Sequence, residues 1–182
     1  MLCLKKDCQI GWKKMEIKKI LIANRGEIAL RIISTCREMG IKTVTVYTDA
    51  EKDYPHAFFS DESYNLGSGP LSATYLNQNL LLEIAQKTKC DAIHPGYGFL
   101  SENSHFAEEC EKNSIIFIGP KSETIELLGS KTSARDLLSK KNIPIVPGNT
   151  NPINSLDEAV KVAASIGYPV LVKASGGGGG KG

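Results

Sequence analysis

The stretch KILIANRGEIALRIISTCREMGIKTVTVY, residues 19–47, decides the fold. Residues 19–23 form a short apolar run, which predicts a buried strand, and the β-branched side chains of residues 43–47 predict a second one. Between them, residues 27–39 place apolar side chains at helical spacing on one face, and Gly40 follows as the expected C-cap. This strand–helix–strand order predicts an α/β fold with a parallel sheet.

The turn between the first strand and the helix, residues 24–26, limits the ligand class. The dinucleotide fingerprint G-x-G-x-x-G is absent because Gly26 stands alone, so the pattern argues against NAD binding. Glu27 suits the positive end of the helix that it begins. Arg25 leaves two alternatives open: an ion pair with a nearby carboxylate, or contact with a ligand.

Composition excludes several classes of protein. The 182 residues are 41% hydrophobic and 23% charged, with a net charge of +2, which favours neither a nucleic-acid partner nor a membrane surface. No apolar run approaches the roughly 20 residues that a membrane helix needs. The five cysteines lack the spacing of a zinc site, and Cys36 and Cys110 are expected as buried thiols in helices. We therefore expect a reducing, cytoplasmic setting.

Elements further along the chain continue the alternation of strands and helices. An edge strand is predicted at 62–66, and two more strands are predicted at 91–93 and 115–118. Helices are predicted at 74–88, 104–112, 122–128, 131–140 and 157–166. In helix 74–88 we expect the buried stripe to consist of Leu76, Leu80 and Ile84, with Leu81 as a further candidate. Asn103 and Ser155 are the expected N-caps of the helices that follow them.

The ten residues His-Pro-Gly-Tyr-Gly-Phe-Leu-Ser-Glu-Asn, 94–103, follow the predicted strand at 91–93. Ligands of open α/β sheets lie outside the carboxyl ends of the strands, which is where this segment falls. Its proline and glycines would stiffen and fold the loop so that Tyr97 is presented to a ligand. The alternative is an ordinary turn in which Tyr97 and Phe99 belong to the local core. The spacing alone favours neither.

The last thirteen residues, 170–182, combine an apolar run, five glycines and two lysines. We expect residues 170–174 to form a buried strand that contains Lys173, followed by a glycine loop that Lys181 closes. Glycines lack a Cβ, so their N–H groups can surround phosphate oxygens. A flexible linker is the alternative, although linkers are usually richer in polar residues. The common P-loop is excluded because Ser175 stands where it has glycine.

Three segments resemble one known family. Lys-Ala-Ser-Gly-Gly-Gly-Gly-Gly-Lys-Gly at 173–182 is similar to the glycine-rich loop of ATP-grasp enzymes, in the form that biotin carboxylases use. The segments Ile-Ala-Asn-Arg-Gly-Glu-Ile-Ala at 22–29 and 94–103 resemble signatures of biotin-dependent carboxylases. Ile-Gly-Pro at 118–120 and Gly-Tyr-Pro-Val at 167–170 also fit. The resemblance extends from residue 17 to residue 182.

This resemblance implies a domain organisation and a set of binding residues. Residues 1–16 would be a disordered tail, residues 17–130 the Rossmann-like N-terminal domain that precedes ATP-grasp, and residues 131–182 the truncated start of the ATP-grasp domain. The residues implied for ATP are Lys131, Lys173, Gly176, Gly177, Gly178, Gly179 and Gly180. The loop residues implied on the biotin or bicarbonate side are His94, Tyr97, Gly98 and Glu102.

The family reaction uses ATP and bicarbonate, with Mg²⁺ or Mn²⁺, to carboxylate biotin held on a carrier protein. Catalytic residues and metal ligands are expected downstream of Gly182, so this chain alone is expected to be inactive. The implied partners are biotin carboxyl carrier protein, a carboxyltransferase and, for the full-length enzyme, a second copy. If the complex is acetyl-CoA carboxylase, the product serves fatty-acid synthesis. Two alternatives stay open: another ATP-grasp ligase, or a non-catalytic module that pairs with a full-length carboxylase.

Overall fold

In the computed structural model, which describes residues 17–129, 131–146, 148–149 and 153–172, the predicted α/β fold is observed. The strands are β1 (Lys19–Ile22), β2 (Lys42–Tyr47), β3 (Glu62–Asn65), β4 (Ala92–His94) and β5 (Ile116–Phe117). The helices are α1 (Gly26–Glu38), α2 (Pro55–Phe59), α3 (Gln78–Lys87), α4 (Ser104–Lys112), α5 (Ser122–Gly129), α6 (Lys131–Lys140) and α7 (Leu156–Ile166). Short 3₁₀ helices occupy Asp49–Glu51 and Leu71–Ala73. The expected tail, residues 1–16, lies outside the described residues.

The described residues fall into two compact units. The first unit contains residues 17–101 and 110–119, and the second contains residues 102–109 and the described residues from 120 onward. All five strands belong to the first unit and form one sheet in the order β3-β2-β1-β4-β5. Every neighbouring pair is parallel, as predicted, and β3 is the edge strand that the sequence indicates.

The first core of this unit lies between α1 and one face of the sheet. Ile20 and Ile22 are two residues apart in β1 and therefore share a face, against which Ile32 and Ile33 of α1 pack. Leu21, on the opposite face of the strand, is also fully buried. Burial on both faces is typical of a parallel sheet and explains why the strand is apolar throughout.

Several sequence predictions for the ends and buried faces of the helices are confirmed. Gly40 follows α1 with a φ of 70°, and the Asn103 side chain accepts the Phe106 N–H at 2.8 Å. The thiols of Cys36 and Cys110 are buried in α1 and α4.

The buried stripe of α3 differs from the prediction. Leu81, Leu82, Ile84 and Ala85 are buried, whereas Leu76 is 36% exposed and Leu80 is half-buried. The helix begins four residues later than predicted because Asn77 is its N-cap, with a side chain that accepts the Leu80 N–H at 3.2 Å. The later start leaves Leu76 outside the helix.

This difference gives a stability test. Leu81→Ala should lower the free energy of unfolding by about 2–5 kcal/mol because it empties a fully buried site. The same substitution at Leu76 should cost less than about 1 kcal/mol, because that side chain is already exposed. Urea unfolding of the 182-residue chain measures both. Equal losses at the two positions would contradict the buried stripe seen in α3.

The second unit is described only in part. Ser155 is the N-cap of α7, as predicted, with its Oγ accepting the Glu158 N–H at 3.2 Å. The strand predicted at residues 170–174 is not observed at residues 170–172, which have no regular structure. Leu171 and Val172 are 78% and 84% exposed. A strand requires a hydrogen-bonded neighbour, and the described residues provide none there. Lys173 and all later residues lie outside the described chain.

No helix in the described part of the chain is long and apolar enough to cross a bilayer.

Candidate functional site

The site is built where β1 and β4 end side by side. Ile22 pairs with His94, and the Ala23 N–H donates to the His94 carbonyl at 2.9 Å. Because the strands are parallel, the turn that follows β1 and the loop that follows β4 leave the sheet at the same edge. This is the edge at which open α/β sheets bind ligands.

Asn24 joins the turn to the loop. Its side-chain Nδ2 donates to the carbonyl of Pro95 at 2.7 Å and to the carbonyl of Tyr97 at 2.9 Å. Its Oδ1 accepts the Arg25 N–H at 2.9 Å. The amide is 4% exposed and uses both donors and its acceptor, which a buried polar group requires. Sequence reasoning missed Asn24, because a turn asparagine has many possible roles.

Tyr97 is presented to solvent, which confirms the first of the two alternatives given for the loop. Its side chain is 62% exposed, and its hydroxyl donates to Glu27 Oε2 at 3.1 Å. This hydrogen bond raises the pKa of Tyr97, because a phenolate could not donate to the carboxylate. Glu27 thus contacts the loop in addition to beginning α1.

His94 has a structural contact within the loop. The Gly96 N–H donates to its Nδ1 at 3.0 Å, which requires that nitrogen to be unprotonated. Burial lowers the pKa of His94, in agreement with a neutral ring. Gly98 lies between Tyr97 and Phe99 in the same loop. Glu102 is exposed and belongs to the second unit, so the structure does not bring it together with Tyr97.

The residues implied for ATP are mostly beyond the described chain. Lys131 is the first residue of α6, but its side chain is not among those described. Lys173 and Gly176–Gly180 lie outside the described residues altogether. Their assignment therefore rests on the sequence.

Arg25 forms the carboxylate pair that was one of its two alternatives. Its guanidinium donates to Glu51 Oε1, which lies in the 3₁₀ helix after β2. Glu51 Oε2 also accepts the Tyr75 hydroxyl at 2.7 Å and the Thr48 N–H and hydroxyl at 3.1 and 2.9 Å. Glu51 is 4% exposed and Tyr75 fully buried, while the Arg25 side chain is 46% exposed. A buried carboxylate thus has a partner for each oxygen.

Sequence reasoning missed Glu51 and Tyr75. Glu51 lies in a polar stretch that reads as loop, and Tyr75 lies in a segment predicted as helix. The available signal was a carboxylate directly after a predicted strand. It was too weak alone, because such residues are usually solvated.

The ionisation of Glu51 gives a pH-dependent prediction. Burial alone would raise its pKa, but hydrogen bonds from Tyr75, Arg25 and Thr48 outweigh burial and lower the pKa to about 2. A lowered carboxylate pKa stabilises the fold above the ordinary value of 4.5, and this contribution is lost as the pH falls toward 2. Glu51→Gln should therefore cost about 2 kcal/mol at pH 7 and progressively less below pH 4.5.

Urea unfolding of the wild-type and variant chains between pH 3 and pH 7 measures this difference. The control is Glu83→Gln, which removes an exposed carboxylate from α3 and should change the unfolding free energy by less than about 0.5 kcal/mol. A cost of Glu51→Gln that stays constant down to pH 3 would contradict the ionised pair.

A cleft of about 400 Å³ opens beside these groups. It is lined by Asn24, Arg25, Gly26, Ile28, Tyr97, Gly98 and Phe99. Such a volume is within the usual range for a small-molecule site. No group of three or more His, Cys, Asp or Glu side chains that could hold a metal occurs among the described residues. The cleft therefore fits an organic or anionic ligand better than a metal ion.

A parallel α/β domain with a ligand cleft at its carboxyl edge defines a Rossmann-like binding domain. The family model for "Biotin carboxylase, N-terminal domain" matches residues 16–125, and the chain belongs to this family. A second model, "Carbamoyl-phosphate synthase L chain, ATP binding domain", matches residues 130–182. The family recognised from the sequence is therefore confirmed.

Named relatives agree with the family assignment. The chain is 51% identical over 164 residues to biotin carboxylase 2 of Bacillus subtilis, covering 90% of this chain and 37% of that protein. It is 48% identical over 165 residues to the small subunit of 2-oxoglutarate carboxylase from Hydrogenobacter thermophilus, covering 91% of this chain and 35% of that protein. The chain thus spans little more than a third of the curated relatives that it matches.

A solved structure shows the same fold. The biotin carboxylase domain dimer of Hydrogenobacter thermophilus 2-oxoglutarate carboxylase superposes with a TM-score of 0.87 at 47% identity. The match covers 92% of this chain and 37% of that one. That structure contains MgADP, ADP and bicarbonate.

Proposed function

We propose that this chain is the N-terminal part of an ATP-dependent biotin carboxylase. The observation that carries the proposal is the loop at residues 94–99, which the family match includes and which presents Tyr97 at the carboxyl edge of the sheet. In the complete protein, a bicarbonate oxygen attacks the γ-phosphorus of ATP, ADP leaves, and carboxyphosphate forms. Carboxyphosphate releases CO₂ and phosphate, and a deprotonated ureido nitrogen of biotin captures the CO₂.

The two ends of the chain take different parts in this proposal. Lys131, Lys173 and Gly176–Gly180 bind the ATP phosphates, and the loop that contains His94, Tyr97 and Gly98 faces the biotin or bicarbonate side. Glu102, which follows this loop, is proposed for the same side. A glycine-rich segment that carries lysines suits phosphate oxygens because it offers both N–H donors and positive charge.

Magnesium belongs to the reaction but not to the described residues. Bound Mg²⁺ would neutralise charge on the phosphates of ATP. The described residues offer no cluster of carboxylates that fits it, so we derive no step through the metal. We propose that its ligands and the catalytic residues are supplied by other parts of the complete protein, and that residues 1–182 do not turn over alone.

The finer assignments belong to the same proposal. We propose that the complete enzyme is a cytoplasmic homodimer that acts with a biotin carboxyl carrier protein and a carboxyltransferase. Buried cysteine thiols support a reducing setting. Relatives named for pyruvate and 2-oxoglutarate show that one carboxylase domain serves several acceptors. An acetyl-CoA carboxylase, with a role in fatty-acid synthesis, is one member of this set.

A chimeric enzyme tests the proposal. Residues 17–182 would replace the matching segment of the Bacillus subtilis relative, whose 51% identity favours correct assembly. We expect ATP cleavage that requires both bicarbonate and biotin, within about tenfold of the parent rate, since one such factor corresponds to about 1.4 kcal/mol of barrier. The parent enzyme and reactions without bicarbonate are the controls. A folded chimera that binds ATP but shows no biotin-dependent cleavage would overturn the proposal.

A further inference from the structure

We propose that Arg25, Glu51, Tyr75 and Phe99 form a positioning latch that fixes the loop carrying Tyr97 at the cleft. The proposal rests on the proposed function for its kinetic consequence, but the latch itself is defined by contacts within the first unit. None of the four is assigned contact with a reactant, so they are positioning residues.

The anchor of the latch is the buried carboxylate of Glu51. It receives the Arg25 guanidinium from the end of β1 and the Tyr75 hydroxyl from the segment before α3. The Tyr75 hydroxyl also lies 3.2 Å from the Val46 carbonyl, at the end of β2. Removing any of these partners would leave a buried polar group unsatisfied, so the anchor is expected to hold a single arrangement.

The anchor is connected to the loop through aromatic contacts. The Tyr75 ring stacks on the Phe99 ring, with centroids 5.1 Å apart and planes at 15°. The Arg25 guanidinium carbon lies 5.5 Å from the Tyr75 ring centroid and 5.6 Å from that of Phe99. Stacking and cation–π contacts of this geometry are each attractive. Phe99 is thereby held by two residues that Glu51 fixes.

Phe99 also needs such support, because its backbone has a φ of 41°. A bulky side chain in this left-handed region is uncommon and carries a conformational cost. The ring contacts offset that cost and keep the residue in place. Two residues earlier, the Tyr97 carbonyl is held by Asn24. The loop is thus fixed on both sides of the Tyr97 ring, which itself remains exposed.

A purely structural role is the alternative, and exposure argues against it. A core cluster would bury all its members, whereas Arg25 and Phe99 line the same cleft as Tyr97. Almost half of the Arg25 side chain is accessible. The latch therefore borders the space in which a reactant would lie. A shift of Phe99 would change the position of Tyr97 without unfolding the sheet.

Hydrogen exchange on the 182-residue chain tests the latch directly. Tyr75→Phe removes only the hydroxyl, and Phe99→Gly removes the ring while relieving the backbone cost. Both should raise exchange of the Gly96 and Ser101 amides about tenfold relative to amides of β1, because local opening becomes easier. Those two amides donate to His94 Nδ1 and to the Gly98 carbonyl. Unchanged loop exchange in both variants would overturn the latch.

Tyr64→Phe is the matched control. Tyr64 also lies 3.4 Å from a glutamate oxygen, that of Glu62, and has a cation, Lys87 Nζ, 5.8 Å from its ring centroid. It lies on β3 and is not among the residues that line the cleft. Its variant should leave the exchange of the loop amides unchanged. Faster loop exchange in this variant as well would show a general loss of stability rather than a latch.

Kinetics of the chimera supply the functional test. In the active chimera, Tyr75→Phe and Phe99→Gly should raise the KM for biotin about tenfold while the KM for ATP stays unchanged, since only the loop side is displaced. A merely structural role would lower kcat through loss of folded enzyme and leave both KM values unchanged, and that result would overturn the latch. An inactive parent chimera would instead overturn the proposed function, while the exchange measurements would still decide the latch.

Discussion

Gly96→Ala should lower the free energy of unfolding by about 3–4 kcal/mol and disorder the loop that carries Tyr97. Gly96 has a φ of 67°, and a Cβ there would lie 2.7 Å from Asn24 Nδ2 and 3.1 Å from its Cβ and Cγ. The left-handed backbone alone costs an alanine about 1–2 kcal/mol. Displacement of the Asn24 amide would also weaken its hydrogen bonds to the Pro95 and Tyr97 carbonyls.

Gly98→Ala separates these two effects. Gly98 has nearly the same φ, 65°, but no atom lies within 4 Å of an added Cβ. Its substitution should therefore cost only the backbone term of about 1–2 kcal/mol. Urea unfolding gives both values, and the difference between them measures the contact with Asn24. Equal costs would show that Gly96 is required only for its backbone conformation.

The sequence was sufficient to predict the sheet because the strand signals are local. Residues 19–23 are apolar on both faces, which only a buried strand explains, and the helix that follows has a single apolar face. The loop at residues 94–99 could be placed at the ligand edge for the same reason. The start of α3 was misplaced because Asn77, an ordinary polar residue in sequence, provides the cap that sets it.

The network around Glu51 could not be predicted because its contacts join distant parts of the chain. Arg25 and Glu51 are 26 residues apart, and Glu51 and Tyr75 are 24 apart. Each residue alone has a common surface or core explanation. Only the parallel order of the strands, with β1 between β2 and β4, brings their carboxyl ends together. The two alternatives for Arg25 could thus be stated from sequence, but the choice between them required the fold.

Asn24→Asp should be the most damaging single-atom change in the site, with a loss of about 3–5 kcal/mol at pH 7. Asparagine and aspartate have the same shape, but the carboxylate would face the Pro95 and Tyr97 carbonyls with an acceptor where Nδ2 now donates. The position is 4% exposed, so water cannot compensate. Two hydrogen bonds would be lost and a charge left buried against like partial charges.

The loss should depend on pH in a direction that distinguishes this cause from simple disruption. Nearby carbonyls disfavour the ionised form, so the introduced aspartate would have a folded-state pKa above its ordinary value of about 3.9. Its penalty is therefore complete above that raised pKa and shrinks as the pH falls toward 3.9, where the protonated group can donate once. Asn77→Asp is the matched control, because that side chain accepts the Leu80 N–H as an N-cap. Aspartate serves equally well there, so the change should be within about 0.5 kcal/mol. Urea unfolding from pH 4 to pH 8 tests both variants, and a pH-independent loss for Asn24→Asp would show that the amide does not act as the donor that joins the two loops.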